Sequence, residues 1–152
     1  MWWSDERDVP PDDERSNERL ARETFLSRVA IPEEQIHPLR STDVELPDRF
    51  DLILLGIGPD GHTASLYAGH PQLEASEPVV YVPDPGMDPM VARYTFTYPL
   101  INSARTAAFL VSGETKREIV ARVLAGDEAL PAARVAAEET IMLADEAAVP
   151  PQ

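Results

Sequence analysis

The sequence predicts an α/β fold in which helices pack in layers on a mainly parallel β-sheet. Two short apolar runs, Phe50 to Ile57 and Thr106 to Val111, are typical of strands that are covered on both faces. A helical pattern from Glu114 to Leu124 follows the second run almost directly. Strands that alternate with helices along the chain favour a parallel sheet, so we expect this layered α/β architecture.

The N-terminal third of the chain contains the end of a predicted strand and one predicted helix. Trp2-Trp3 is typical of a buried strand, yet only one residue precedes it. Because a strand needs roughly five residues, we expect its beginning to be missing. Ser16 is a predicted N-cap for a helix from Asn17 to Val29. One side of that helix is expected to be partly apolar, with Leu20, Thr24, Phe25 and Arg28.

Shorter elements are predicted between and after the two apolar runs. The run from Phe50 is interrupted by Gly58-Pro59-Asp60-Gly61, and Gly126 ends the helix that begins at Glu114. Further short strands are expected at Val79–Val82, Ala92–Tyr98 and Thr140–Leu143. In a parallel sheet, ligands bind beyond the carboxyl ends of the strands. The candidate site therefore lies at three loops: Ser4–Arg7, Gly56–His62 and Ser112–Lys116.

Composition excludes several classes of protein. The 152 residues include 27 acidic and 13 basic side chains, for a net charge of −14, which disfavours binding to nucleic acid. No apolar run approaches the ~20 residues that span a membrane, and no signal peptide is recognisable. The absence of cysteine excludes disulfides and thiolate chemistry. Three scattered histidines form no metal-binding motif, so we expect no metal or cofactor. Because neither a membrane span nor a signal peptide is recognisable, we expect a cytoplasmic location.

Basic residues at two predicted strand ends could bind an anion. Lys116 is the only lysine among the 13 basic residues, and it lies where a helix begins after a buried strand. Helix N-termini attract anions, and a lysine there adds positive charge. Arg7 lies at the end of Ser4-Asp5-Glu6-Arg7, which could equally be a solvated loop or a local ion pair. If Arg7 and Lys116 converge, they would form a phosphate clamp.

The glycine-rich loop Gly56-Ile57-Gly58-Pro59-Asp60-Gly61-His62 follows the first buried strand. Its glycines allow a tight turn with free backbone N–H groups. The spacing matches a dinucleotide-binding fingerprint, but Pro59 and Asp60 lie inside the loop and proline-rich coil follows it. A dinucleotide site requires a long helix and a later acidic residue there, so this function is disfavoured.

His62 is the candidate catalytic base. An imidazole with an unperturbed pKa of ~6.5 is suited to proton transfer near neutral pH. Asp60 could orient the ring or the attacking water, whereas the alternative is that His62 only caps or packs the turn. His37 and His70 are expected to be ordinary exposed histidines. Ser65 lacks a G-x-S-x-G context, which disfavours a serine nucleophile.

Several separated motifs together resemble the 6-phosphogluconolactonase family. The run Asp51 to Leu66 (DLILLGIGPDGHTASL) resembles the family signature, as does Trp2 to Arg7 (WWSDER). Arg93 to Thr97 and Phe109 to Gly113 with Lys116 agree as well. The resemblance covers nearly the whole chain, in order. It implies an α/β/α modified Rossmann-like fold, with residues 1–152 forming a single domain.

The resemblance also implies an activity and site residues. The activity would be hydrolysis of 6-phosphoglucono-1,5-lactone to 6-phosphogluconate in the oxidative pentose phosphate pathway, without a metal. The catalytic residues would be His62, the base that activates water, and Asp60. Substrate-binding roles would fall on Asp5, Arg7, Gly58, Gly61 and Lys116. The partner would be a small sugar-phosphate lactone.

The sequence departs from the family pattern in three places. Ser4 stands where glycine is common, and Ile141-Met142 stands where a tryptophan is frequent. Family members carry strands, helices and a Gly-Gly-Ser/Thr loop before the tryptophan pair. These are lacking here, so we expect an incomplete domain that self-associates through an uncovered sheet edge.

Two alternatives to the lactonase are considered. The chain could be an inactive fragment or interaction module of this fold. It could also resemble glucosamine-6-phosphate deaminases, which share a G-x-G-x-D-G-H loop. In those enzymes Ile-Ala-Phe-Asn-Glu-Pro follows the histidine. Here Thr63 to Tyr67 follows His62, without the asparagine and acid, which disfavours the deaminase.

Overall fold

The computed structural model describes residues 1–151, which form two three-stranded sheets and three α-helices. The strands are β1 Asp5–Arg7, β2 Leu52–Leu55, β3 Val79–Val82, β4 Arg93–Phe96, β5 Thr106–Val111 and β6 Glu139–Ala144. The α-helices are α1 Asn17–Thr24, α2 Tyr98–Asn102 and α3 Arg117–Leu124. Short 3₁₀ helices lie at Leu26–Arg28, Glu33–Gln35, Pro71–Glu74, Glu114–Lys116 and Pro131–Arg134.

The first sheet is parallel, with strand order β2-β5-β6. Leu52 of β2 pairs with Thr106 of β5, which pairs in turn with Glu139 of β6. Parallel neighbours require crossover connections, and α3 lies in the connection from β5 to β6. The predicted α/β fold with a parallel sheet is therefore confirmed.

The two faces of this parallel sheet differ in burial. Side chains alternate between faces along a strand, so Ile53 and Leu55 lie on one face and Leu52 and Leu54 on the other. The first face packs into a core that includes Phe109 and α3 and is almost fully buried. The second face leaves four leucines about half exposed, at 51–52%: Leu52, Leu54, Leu110 and Leu143. The prediction that both apolar runs are covered on both faces is wrong, because within residues 1–151 the core forms on one face only.

The second sheet is antiparallel, with strand order β1-β4-β3. Arg7 of β1 lies opposite Arg93 of β4, and Asp5 lies opposite Thr95. The strands predicted at Val79–Val82 and Ala92–Tyr98 are present as β3 and β4, but local pattern does not indicate that they pair with Asp5–Arg7 in a separate antiparallel sheet. This sheet places β1 beside β4 although about 90 residues separate them in the chain.

A largely apolar cavity of about 430 Å³ lies along the edge of β2 that pairs with no other described strand. Residues 50–54 form one side, and Met1, Trp2, Ser4 and Phe96 complete the lining. Trp2 forms a single parallel bridge with His37 and stacks on its ring at 4.2 Å, whereas Trp3 is buried. The Trp pair therefore precedes the regular strand β1 instead of ending a longer one.

Helix α1 begins as predicted but ends earlier and buries a different side. The Ser16 side chain accepts a hydrogen bond from the Arg19 N–H, which confirms the N-cap. The predicted apolar side is wrong, because Leu20 and Phe25 are 58% and 42% exposed. The buried residue is Glu18, which pairs with Arg22 and Arg40. The helix is therefore held by ion pairs and capping more than by an apolar stripe.

No helix within residues 1–151 is long and apolar enough to cross a membrane.

Candidate active site

A polar cavity of about 280 Å³ lies beyond the carboxyl end of β2. The glycine-rich loop, strand β1 of the antiparallel sheet and the start of α1 meet there. Its lining consists of Ser4, Asp5, Arg7, Asn17, Gly56–Gly58, His62, Ala64 and Arg93. The position agrees with the general rule for parallel sheets, in which ligands bind where the strands end.

The glycine-rich loop is closed by its own backbone. The Gly58 N–H donates to the carbonyl of His62 at 2.8 Å, and the Gly61 N–H donates to the carbonyl of Gly58 at 3.0 Å. The Thr63 hydroxyl donates to the carbonyl of Gly56 at 2.9 Å. These bonds fix the loop so that the His62 side chain lies at the cavity.

Gly58 is required by the space that the His62 and Asp60 side chains occupy. A Cβ atom at position 58 would lie 2.1 Å from His62 Nδ1 and 2.6 Å from Asp60 Oδ1. No side chain can be accommodated at these distances without displacing the imidazole. Gly61 has a different role, since its φ of +84° suits glycine and a Cβ there would meet Leu130 at 2.8 Å.

The His62 ring is oriented by Asp60. Nδ1 of His62 lies 2.6 Å from Oδ1 of Asp60. Burial acts to raise the pKa of the Asp60 carboxyl, but hydrogen bonding to His62 and the charge of that ring lower it below its usual value. Because an ionised carboxylate can only accept, Nδ1 donates in this pair, and in the neutral form of the ring Nε2 then holds the free lone pair. This tautomer is the one that a general base requires at Nε2.

Asp5 and Arg7 are held at the cavity by neighbouring side chains. The Ser65 hydroxyl donates to Asp5 Oδ2 at 2.8 Å. The Asn17 amide donates to the Asp5 carbonyl at 2.9 Å, and its oxygen accepts from the Arg7 guanidinium. Sequence reasoning gave neither Ser65 nor Asn17 a site role, because both contacts join segments that are distant in the chain.

Glu6, between Asp5 and Arg7, is a structural residue. Its carboxylate is buried and accepts the backbone N–H groups of Asn17 and Glu18, both at 2.7 Å. It therefore satisfies donors at the start of α1 that have no partner within the helix. This contact fixes the position of α1, and with it Asn17, relative to β1.

Lys116 contacts the backbone of the glycine-rich loop. Its ammonium donates to the carbonyl of Ile57 at 2.6 Å, and Ile57 is part of the cavity lining. Lys116 lies in the 3₁₀ turn Glu114–Lys116 at the entry to α3. The lysine is therefore next to the cavity without lining it.

Arg93 lines the cavity although sequence reasoning gave it no site role. Its side chain is buried, and its guanidinium carbon lies 5.8 Å from the ring centroid of Tyr67. The Tyr67 ring lies in turn 4.8 Å from the ring of His62. The three side chains therefore lie next to one another in a row beside the cavity, with Tyr67 between Arg93 and His62. The sequence signal is weak, because only the cross-strand pairing of β1 and β4 brings Arg93 here.

The structure brings together most of the predicted site residues. Asp5, Arg7, Gly58 and His62 line one cavity, and Asp60 lies directly behind His62. Gly61 is buried against Leu130, and Lys116 contacts the loop backbone, so neither lines the cavity. Within the described part of the chain, no group of three or more histidine, aspartate or glutamate side chains is arranged to hold a metal ion.

The chain is similar to known proteins over most of its length. A family model described as glucosamine-6-phosphate isomerases/6-phosphogluconolactonase matches residues 1–144. The chain is 37% identical over 147 residues to a 6-phosphogluconolactonase of Synechocystis, which covers 82% of this chain and 60% of that relative. It is also 37% identical over 155 residues to human 6-phosphogluconolactonase, covering 89% of this chain and 60% of that relative.

A solved structure gives the same result. The crystal structure of 6-phosphogluconolactonase from Thermotoga maritima matches with a TM-score of 0.81 and 33% identity. The match covers 94% of this chain and 71% of that chain. The chain spans about 60% of the length of the Synechocystis and human relatives.

Proposed function

The chain belongs to the family of glucosamine-6-phosphate isomerases and 6-phosphogluconolactonases, and on that premise we propose that it hydrolyses 6-phosphoglucono-1,5-lactone to 6-phosphogluconate. The observation that carries this proposal is the His62–Asp60 pair at the edge of a cavity that also contains Arg7. A base beside a cationic site suits a substrate with both an electrophilic carbonyl and a phosphate. The relatives named 6-phosphogluconolactonase support this choice of substrate.

In the proposed mechanism, Nε2 of His62 removes a proton from water as the water oxygen attacks the lactone carbonyl. A bond forms between that oxygen and the carbonyl carbon, and the ring C–O bond then breaks. The proton on His62 passes to the departing ring oxygen. Asp60 holds the ring through Nδ1 and stabilises the imidazolium that forms during the attack.

The remaining predicted residues are assigned to substrate binding. Asp5 is fixed by Ser65 and is proposed to accept a substrate hydroxyl. Arg7 is proposed to bind the phosphate directly. Lys116 is proposed to add positive charge beside the site through its bond to the Ile57 carbonyl, and Gly58 and Gly61 to shape the loop that approaches the lactone ring. We propose that the reaction uses no metal or cofactor and belongs to the oxidative pentose phosphate pathway in the cytoplasm.

The decisive experiment is lactone hydrolysis by a His62→Ala variant, measured after subtraction of spontaneous hydrolysis. A positioned general base contributes about 10²–10⁴ in rate, so kcat should fall by at least ~100-fold. Binding of 6-phosphogluconate should change little, because His62 acts on the attacking water.

His70→Gln is the matched control, since His70 is a second partly exposed histidine that does not line the cavity. It should retain nearly the whole rate. A His62→Ala variant with a wild-type kcat would exclude His62 as the base. A wild-type chain with no lactone hydrolysis above the spontaneous rate would instead favour the inactive-module alternative.

A further inference from the structure

Two arginines lie directly opposite each other beside the active-site cavity. Arg7 of β1 and Arg93 of β4 are cross-strand partners in the antiparallel register. Such partners project from the same face of a sheet, and both of these line the cavity. Like charges directly opposite each other destabilise a strand pair. The arrangement therefore requires a compensating negative charge.

No carboxylate within residues 1–151 forms a salt bridge with Arg7 or Arg93. Asp5 lines the same cavity, but its side chain accepts a hydrogen bond from Ser65 and lies outside salt-bridge distance of both arginines. Nine of the twelve arginines form salt bridges with aspartate or glutamate. Arg7 and Arg93 do not, although the chain carries 27 acidic residues. In such an acidic protein, two unpaired arginines in register at one cavity point to a negative charge that the chain itself does not supply.

Arg93 is also incompletely hydrogen-bonded. It is only 3% exposed, and its one hydrogen bond is from a terminal nitrogen to the Pro89 carbonyl at 3.2 Å. The Nε atoms of Arg93 and Arg7 are both buried without a partner in the described residues. Burying a charged group with free donors is costly, and buried polar groups are normally satisfied. Contact with the Tyr67 ring keeps the Arg93 guanidinium at the cavity.

We propose that Arg93 is a phosphate-binding residue and that the ligand's phosphate lies between Arg93 and Arg7. A guanidinium offers a planar pair of N–H donors that matches two phosphate oxygens. A phosphate monoester carries close to two negative charges near neutral pH, which balances two arginines. This inference rests on the proposed function and deepens it, because it places the phosphate at the β1–β4 sheet and the reacting carbon toward His62.

The test is anion binding by Arg93→Gln, measured by calorimetry and by the rise in Tm with inorganic phosphate, 6-phosphogluconate or gluconate. A ligand that binds only the folded state raises Tm, and at a fixed concentration a tighter ligand raises it further. Removing Arg93 should weaken phosphate and 6-phosphogluconate at least tenfold and gluconate less than threefold. Arg28→Gln is the control, because Arg28 forms no salt bridge in the described structure and does not line the cavity.

Arg93→Lys keeps the charge but loses the planar donor pair, so it should weaken phosphate severalfold. This variant keeps the test decisive if Arg93→Gln fails to fold. Unchanged phosphate affinity in either folded variant would overturn the assignment of Arg93, even if the wild type hydrolyses the lactone. Loss of phosphate binding in a chain whose wild type hydrolyses no lactone would retain Arg93 and reject the proposed reaction. A wild type that binds neither phosphate nor 6-phosphogluconate would reject both.

Discussion

The two faces of the parallel sheet carry the same kinds of side chain in different surroundings. Leu54 and Leu55 are adjacent in β2, yet Leu54 is 52% exposed and Leu55 is 3% exposed. The same contrast occurs on β5, where Leu110 is 51% exposed beside Phe109 at 2%. Leucine occurs on both faces of the sheet, but the described residues form a hydrophobic core on only one of these faces. An apolar face therefore favours burial against a neighbouring element, but it stabilises the fold only where such an element is present.

The largest effect is expected from comparing Leu55→Ala with Leu54→Ala. Truncating a buried leucine leaves a cavity and costs about 2–5 kcal/mol, whereas a half-exposed one leaves no enclosed cavity and should cost under ~1 kcal/mol. The free energy of unfolding, measured by denaturant titration, gives both values on the same strand. Equal losses in the free energy of unfolding, in a dilute and monomeric sample, would show that Leu54 is as buried within the monomer as Leu55.

Two glycines of the loop after β2 offer a sharper contrast, because a methyl group added at Gly58 meets occupied space and one added at Gly56 does not. Gly58→Ala places a methyl group on the His62 and Asp60 side chains, at 2.1 and 2.6 Å. The imidazole must move, so lactone hydrolysis should fall ~100-fold, a loss comparable to removing the base. The chain should remain folded, as checked by circular dichroism.

Gly56→Ala is the matched variant on the same loop. A Cβ atom at position 56 meets nothing within 4 Å, so the loss of activity should be much smaller. If both variants lost the same activity, the effect would come from the backbone of the loop and not from the placement of His62.

Much of the parallel sheet could be predicted from local pattern. The apolar runs that form β2 and β5 are continuous, and the glycines after β2 end the strand where the polar cavity begins. Asp60 and His62 are two residues apart, so their contact at 2.6 Å is also a local feature. These predictions succeeded because the interactions that determine them lie within a few residues.

The features that could not be predicted depend on contacts between distant segments. Helix α1 was given the wrong buried side because Glu18 is paired with Arg40, 22 residues away. Arg93 reaches the cavity only through the register of β4 against β1. The exposure of the leucine face could not be predicted either. An apolar run such as Leu52–Leu55 shows that burial is favoured, but not whether a neighbouring element packs on each face.

The smallest effect is expected in self-association through the open face and the free edge of β2. An apolar patch of four half-exposed leucines beside an unpaired strand edge favours contact with a second copy of the chain. Leu54→Lys should weaken this contact, because burying a leucine contributes about 1.5–3 kcal/mol and a buried lysine must also be desolvated. The association constant from sedimentation equilibrium should fall at least ~10-fold. Leu124→Lys is the control, since Leu124 of α3 is 61% exposed outside the sheet. A wild-type chain that stays monomeric at every concentration would show that the leucine face does not bind its own copy.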